Sequence, residues 1–333
     1  MLAKKLNFEH LNSFTSVLSC FSMGSFYVIS LYLWSKQNRF NRNEPSVIKR
    51  RFISVILTSI LSILFVYFLA EQDQSDDNKN SHPLNIWIGF RFDFINVIKS
   101  VTITLFLTVI LFSGPIVQHF VRDYLDFLHL QSRKNNKKDN DKRLQNIMNY
   151  IYYLIKYFFS KNNFNQIVTQ DLCDLGVWRN YIISPFTEEF VFRSCMLPLV
   201  LPTLHVNKSI YITPLFFGIA HLHHMIESIL TTNMPLKLIL LQNLFQFSYT
   251  YLFGLYSSFL FLRTGSFYAS FLNHSFCNYM GFPNINELIN DFKGRMRLFI
   301  TFVYFFGLFM FCYLLTGLTN PQFYDNYVFD KFY

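Results

Sequence analysis

The sequence predicts an all-α polytopic membrane protein of about eight transmembrane helices. Three observations predict it. Hydrophobic types fill 52% of the 333 residues and charged types only 15%, where an ordinary soluble domain carries about 25% charged residues. Phe, Tyr and Trp supply 20% of the chain, which is far too apolar for a disordered protein. Several long runs carry no charge at all, each close to the roughly 20 residues that a membrane helix needs.

In chain order, Leu11–Trp34 is the first clean run. It is long for the apolar core of a cleaved signal and no A-x-A-like site follows it, so it reads as a retained span. Phe52–Ala70 is the second, and Ser100–Val121 the third, with Gly114-Pro115 as its kink or end. Leu238–Leu262 and Leu298–Leu318 are the later clean runs. Between them lie apolar segments that nevertheless carry Glu, Arg, Lys, His and Asn: Ile147–Phe159, Tyr181–Pro202, Ser209–Met225 and Ser266–Met280.

The loops alternate in charge. Ser35–Arg51 holds six basic residues against Glu44, Glu71–Pro83 holds four acids against Lys79, and Arg122–Arg143 holds seven basic residues against four acids. The positive-inside rule puts the first and third loops in the cytosol and the second on the other side. The net charge of +9 thus belongs to topology and not to nucleic-acid binding. The polar run Ser132–Arg143 divides the chain into a three-span N-terminal region with basic cytosolic loops (1–145), a membrane core that carries the chemistry (146–320) and a polar tail (321–333). No internal repeat stands out, which weighs against a transporter built on paired repeats. The five cysteines, Cys20, Cys173, Cys195, Cys277 and Cys312, form no CxxC pair, so they read as small buried hydrophobes and not as a disulfide or metal framework.

Ionisable residues inside membrane segments are costly and mark function by default. Three clusters stand out, all in the C-terminal half. The first is Glu188-Glu189 with Arg193, after Pro185, a residue suited to the first turn of a helix. Glu189 and Arg193 are i,i+4 neighbours and can pair, whereas Glu188 points about 100° away and is free to act as a general base. Taken alone, the pair is equally a structural ion pair inside a bundle. The second is His221, His223 and His224, with His221 and His224 sharing a helix face and His223 nearly opposite. The third is His274 and Asn278, i,i+4 on one face, both able to donate hydrogen bonds to one target; an interhelical polar contact is the plainer alternative. Together the three supply what amide hydrolysis needs: a group to take the proton from water, donors for the tetrahedral oxyanion, and an acid for the leaving amine. No G-x-S-x-G and no H-E-x-x-H occurs, so neither a serine elbow nor the usual zinc-protease helix is indicated.

The words carrying these residues, EExxxR at Glu188-Glu189-Arg193, FxxxH at Phe217-His221 and HxxxN at His274-Asn278, resemble those of the Ras-converting, type II CaaX prenyl endopeptidases within the wider ABI membrane-protease family. The match is dense from Trp178 to Pro283 and the order of spans fits the remainder. The resemblance implies a protease of the endoplasmic reticulum membrane with an intramembrane catalytic cavity reachable from the cytosol. It would remove the last three residues of farnesylated or geranylgeranylated CaaX proteins such as Ras-like GTPases. Glu188 and His221 would activate water, His274 and Asn278 would form the oxyanion hole, and Glu189 with Arg193 would hold the site. A metal-free mechanism is the expectation, because Asn278 is a poor zinc ligand and a good oxyanion donor. The zinc alternative would use Glu188, His221 and His274 as a His₂Glu set. Two readings of other classes stand beside this one: a non-catalytic scaffold of the same superfamily, and a transporter with Glu188, His221 and His274 as a proton path.

Overall fold

The computed structural model describes residues 4–34, 42–72, 81–135, 148–153 and 173–330. The domain boundary expected at 145 and most of the polar run Ser132–Arg143 lie outside these residues.

The chain is an all-α polytopic membrane protein. Helix α1 (Ser13–Ser30) starts at a capping box, in which the Asn12 side chain accepts from the Thr15 amide and the Thr15 hydroxyl accepts from the Asn12 amide. This arrangement satisfies two donors that a helix start otherwise leaves open. Helix α2 (Pro45–Leu69) opens on a proline, whose missing N–H costs nothing there. A short α3 (Leu84–Trp87) precedes α4 (Phe94–Leu111) and α5 (Ser113–Asn135). The expected third run therefore breaks at Phe112, just before Gly114-Pro115. From Leu175 to Thr231 the chain is helical with two π-helical turns: α6 (Leu175–Trp178), π turn Arg179–Ile183, α7 (Ser184–Glu189), π turn Phe190–Cys195, α8 (Met196–His221) and α9 (His223–Thr231). Helices α10 (Leu236–Thr264), α11 (Phe267–Met280), α12 (Ile285–Asn290) and α13 (Gly294–Leu318) follow, then a 3₁₀ turn at Pro321–Tyr324 and α14 (Tyr327–Asp330).

Among the described residues, five segments are long and apolar enough to cross a membrane: Ser13–Ser30, Pro45–Leu69, Phe94–Leu111, Leu175–Thr231 and Gly294–Leu318. The fourth has 57 residues, about 85 Å at 1.5 Å per residue against a hydrocarbon core of about 30 Å. It does not run straight, because His205 takes φ 56°, ψ 169° inside α8. Helices α10 and α11 add further apolar lengths.

On α1 and α2 small and hydroxyl residues share the buried stripe with apolar ones, and large apolar residues also face outward. On α1 the buried stripe is Ser16, Ser19, Cys20, Met23, Gly24, Tyr27 and Ser30, while Phe14, Leu18, Phe21, Phe26 and Ile29 face outward. On α2, Ser54, Thr58, Ser59 and Ser62 are buried, and Ile53, Ile56, Leu57, Ile60, Leu61 and Phe68 are exposed. Small residues let helices approach, and large apolar ones meet lipid.

The described residues form two compact units. One comprises 1–106, 179–279 and 316–333, and the other 107–178 and 280–315. In the first, Val191, Phe192, Cys195, Met196, Leu197, Leu199, Val200 and Leu201 are all buried, as expected of a helix apolar on every side at the centre of a bundle. A small antiparallel sheet, which hydropathy did not signal, closes one end. Strand β1 (Lys5–Asn7) lies between β2 (Glu71–Gln72) and β3 (His82–Pro83), with Leu6 opposite Gln72 and His82. It ties the N-terminal segment to both ends of the acidic loop, so α1 and α2 run in opposite directions between their shared ends. At the same end α10 stops at Gly265, φ 63°, a left-handed cap that glycine adopts without strain. Asn326 Nδ2 then donates to Leu262 O at 2.7 Å and Arg263 O at 3.1 Å. In the second unit Leu288, Phe292 and Ile300 pack with Val117, Val121 and Tyr304, and Arg122 pairs with Glu287 at 3.1 Å.

Candidate active site

Pro185 is the starting point. As the sequence suggested, it stands in the first turn of a helix, α7, which continues directly from the π turn Arg179–Ile183. Having no N–H, it cannot serve the carbonyl four residues back, Tyr181, or five back, Asn180. Helix α11 serves both: Ser275 Oγ donates to Tyr181 O at 2.6 Å and Asn278 Nδ2 to Asn180 O at 2.9 Å. These two hydrogen bonds dock the helix of His274 against the helix of Glu188 and Glu189.

One turn further in, Glu189 and Arg193 pair at 3.1 Å, as their spacing predicts, and both are buried. The same carboxylate oxygen, Oε1, accepts from His274 Nδ1 at 2.8 Å, and Oε2 accepts from the Ser257 hydroxyl at 2.5 Å. Arg193 also lies over two aromatic faces, its Cζ 4.4 Å from the Phe217 ring centre and 5.7 Å from that of Phe253, a favourable setting for a buried cation. Room for it depends on Gly254, where a Cβ would come within 3.2 Å of Arg193 Nη2 and 2.7 Å of Pro214 Cβ.

Glu188 faces the other way. It makes no hydrogen bond among the described residues, and its Oε2 lies 3.8 Å from His274 Nε2. That gap is too long for a direct hydrogen bond, and a single water oxygen can bridge it. His274 therefore stands between the two glutamates, anchored by Nδ1–H to one and presenting Nε2 to the other.

His221, at the end of α8, has its Nδ1 2.8 Å from Phe217 O. A carbonyl only accepts, so Nδ1 carries the proton and Nε2 the lone pair of the neutral ring. The Phe217 ring lies 4.6 Å from the His221 ring and 6.1 Å from the His274 ring, a hydrophobic wedge between the two histidines. Asn278 is exposed, one turn from His274. One amide hydrogen goes to Asn180, which leaves the second for another acceptor.

His223 and His224 lie beside His221, their ring centres 6.5 and 6.0 Å from its ring, and join a second cluster. Among the described residues, the set of His, Cys, Asp and Glu whose ligand atoms all lie within 4.8 Å of one another is His223, His224 and Glu227. Glu227 is already committed: its Oε1 accepts from Arg51 Nη2 at 2.6 Å and Tyr32 OH at 2.7 Å, and its Oε2 lies 3.2 Å from His224 Nδ1. A guanidinium at that distance occupies the place a cation would take, so the cluster reads as an ion-pair anchor between α9 and α2. Sequence reasoning missed Arg51, Tyr32 and Glu227 in this role, because their separation in the chain gives no local pattern. It missed Ser257 for the same reason.

A carboxylate facing a buried, carboxylate-anchored histidine, inside a bundle of membrane helices, is the equipment of a membrane-embedded hydrolase. Residues 174–280 match the family described as type II CAAX prenyl endopeptidase Rce1-like. Relatives match over most of the chain. CAAX prenyl protease 2 of Homo sapiens is 35% identical, covering 93% of this chain and 83% of its own. CAAX prenyl protease 2 of Arabidopsis thaliana is 32% identical, covering 96% and 94%. The probable CAAX prenyl protease 2 of Schizosaccharomyces pombe is 30% identical, covering 91% and 93%. No solved structure matches significantly. The chain belongs to the type II CaaX prenyl endopeptidase family and is a hydrolase of peptide bonds.

Proposed function

We propose that this chain removes the C-terminal aaX tripeptide from farnesylated or geranylgeranylated CaaX proteins, Ras-like GTPases among them. The work is done at the endoplasmic reticulum membrane, from its cytosolic face. The observation that carries this reading is the buried chain Arg193–Glu189–His274 facing Glu188 across 3.8 Å. Family membership and the names of the relatives supply the substrate class.

In this mechanism Glu188, with the Nε2 lone pair of His221, takes a proton from water as it attacks the scissile carbonyl. The carbonyl becomes a tetrahedral oxyanion, met by His274 Nε2–H and by the second amide hydrogen of Asn278. Because Nδ1–H of His274 is held by Glu189, a ring that also donates from Nε2 is an imidazolium, and the ionised Glu189 is its counter-charge. The proton on Glu188 then passes to the leaving amine. Cytosolic access is supported by the chain segment beside the site. Arg179, beside the Asn180 carbonyl that holds Asn278, donates to Arg42 O at 2.6 Å, and Arg42 belongs to the basic loop that the positive-inside rule puts in the cytosol.

The metal-free route rests on Asn278, a poor zinc ligand and a good oxyanion donor. A carboxylate on His274 Nδ1 leaves Nε2 open and suits either route. If zinc is bound, Glu188, His221 and His274 would hold it, and it would act as Lewis acid for the carbonyl and source of hydroxide.

The test uses purified full-length protein in lipid nanodiscs with a farnesylated CaaX peptide and its unprenylated twin. Tripeptide release is expected from the farnesylated peptide, with and without a chelator. Equal cleavage of both peptides would remove prenyl recognition from the account. Loss of activity with chelator, restored by zinc, would replace the metal-free route. No product from either peptide, in a folded sample, would favour the non-catalytic scaffold.

A further inference from the structure

Ser257 belongs to none of the three sequence clusters. It lies on α10, one turn beyond Gly254, on a charge-free stretch of helix, and it is buried. Its hydroxyl donates to Glu189 Oε2 at 2.5 Å, and its own carbonyl accepts from Ser270 Oγ at 3.3 Å. Ser270 sits on α11, one turn before His274. One residue thus touches both halves of the site: the carboxylate that holds His274, and the helix that carries it.

We propose that Ser257 is a positioning residue for the hydrolysis, fixing the rotation of the Glu189 carboxylate so that Oε1 stays aimed at His274 Nδ1. The inference rests on the reaction proposed above. The terminal torsion of a glutamate is broad, with no sharp rotamer of its own. Glu189 Oε1 is shared by His274 at 2.8 Å and Arg193 at 3.1 Å. With Oε2 unheld, the carboxylate is free to turn both oxygens toward the guanidinium, which prefers two-pronged pairing with a carboxylate. That turn withdraws the acceptor from His274, and with it the counter-charge and the direction of Nε2. The hydroxyl of Ser257 opposes it by giving Oε2 a donor from a third helix. The arrangement parallels other cases in which an outer partner sets the orientation of an active histidine.

The experiment compares the full-length enzyme with Ser257→Ala and Ser257→Thr in nanodiscs, measuring kcat, KM and thermal midpoint with the farnesylated peptide. Ser257→Ala is expected to lower kcat by about 10- to 100-fold, the range for partners that orient an active histidine, with KM unchanged. Ser257→Thr, which keeps the hydroxyl, is expected to restore most of the lost rate. A purely structural serine would lower the thermal midpoint of Ser257→Ala with kcat and KM altered together, whereas a positioning serine lowers kcat alone. If the alanine variant fails to fold, Ser257→Cys, a weaker donor of similar size, is read for the same fall in kcat. Wild-type kcat in folded Ser257→Ala or Ser257→Cys, or no recovery in Ser257→Thr, would overturn the inference. Wild-type enzyme that cleaves nothing would instead overturn the reaction on which it rests.

Discussion

Glu188→Gln is expected to abolish cleavage while leaving the protein folded. The substitution keeps size and shape. Glu188 makes no hydrogen bond among the described residues, and its nearest charged partner is His274 Nε2 at 3.8 Å. Nothing in the fold depends on its charge, so the change in stability should stay within about 1 kcal/mol. Its chemical loss is complete, because an amide cannot take a proton from water at neutral pH. General-base contributions are typically about 10²- to 10⁴-fold, which brings the rate near the detection limit of a peptide assay. Thermal unfolding and tripeptide release on the same preparation check both halves. Full activity in folded Glu188→Gln would remove Glu188 from the chemistry.

Arg193→Leu should do the opposite and fail as a fold before it fails as a catalyst. Arg193 and Glu189 are both buried and paired at 3.1 Å. Breaking a buried pair costs about 3–5 kcal/mol, a large part of a total stability of about 5–15 kcal/mol, and leaves Glu189 with His274 and Ser257 as its remaining donors. Neutralising both, Arg193→Leu with Glu189→Gln, removes the buried carboxylate charge as well and should recover part of that stability. The double variant should remain inactive, since an amide holds the His274 imidazolium poorly. Folded yield and thermal midpoint of the two variants decide the point. A single variant as stable as wild type would mean that the pair is not the anchor described here.

The two predictions separate the neighbouring glutamates, and that separation was legible in the sequence. The i,i+4 spacing of Glu189 and Arg193 foretold their pairing and left Glu188 aimed elsewhere. Uncharged runs located α1, α10 and α13 to within a few residues, because the cost of a charge in lipid is written directly into composition, whereas α2 begins well before its run, at Pro45, with Lys49, Arg50 and Arg51 inside the helix. Three features were not legible. The π turns at Arg179–Ile183 and Phe190–Cys195 have no hydropathy signal, since they change hydrogen-bond register and not which residues are apolar. The strand Lys5–Asn7 is too short for periodicity, and it finds its partners beyond α2. Ser257 and the Arg51–Glu227 pair act across long separations in the chain, and a serine among other small residues on a membrane helix looks like packing. His274 itself could be picked out by type, but its anchor, Glu189, lies 85 residues away and becomes visible only when Ser275 and Asn278 dock α11 on the carbonyls at Tyr181 and Asn180.

The most direct test of the central claim is the mass spectrum of a farnesylated CaaX peptide after incubation with the purified protein in 18O-labelled water. The account predicts a product cut at the prenylcysteine, lacking the last three residues and carrying one 18O in its new carboxylate, beside an unlabelled tripeptide. A cut at another bond, or intact peptide from a folded sample, would contradict it.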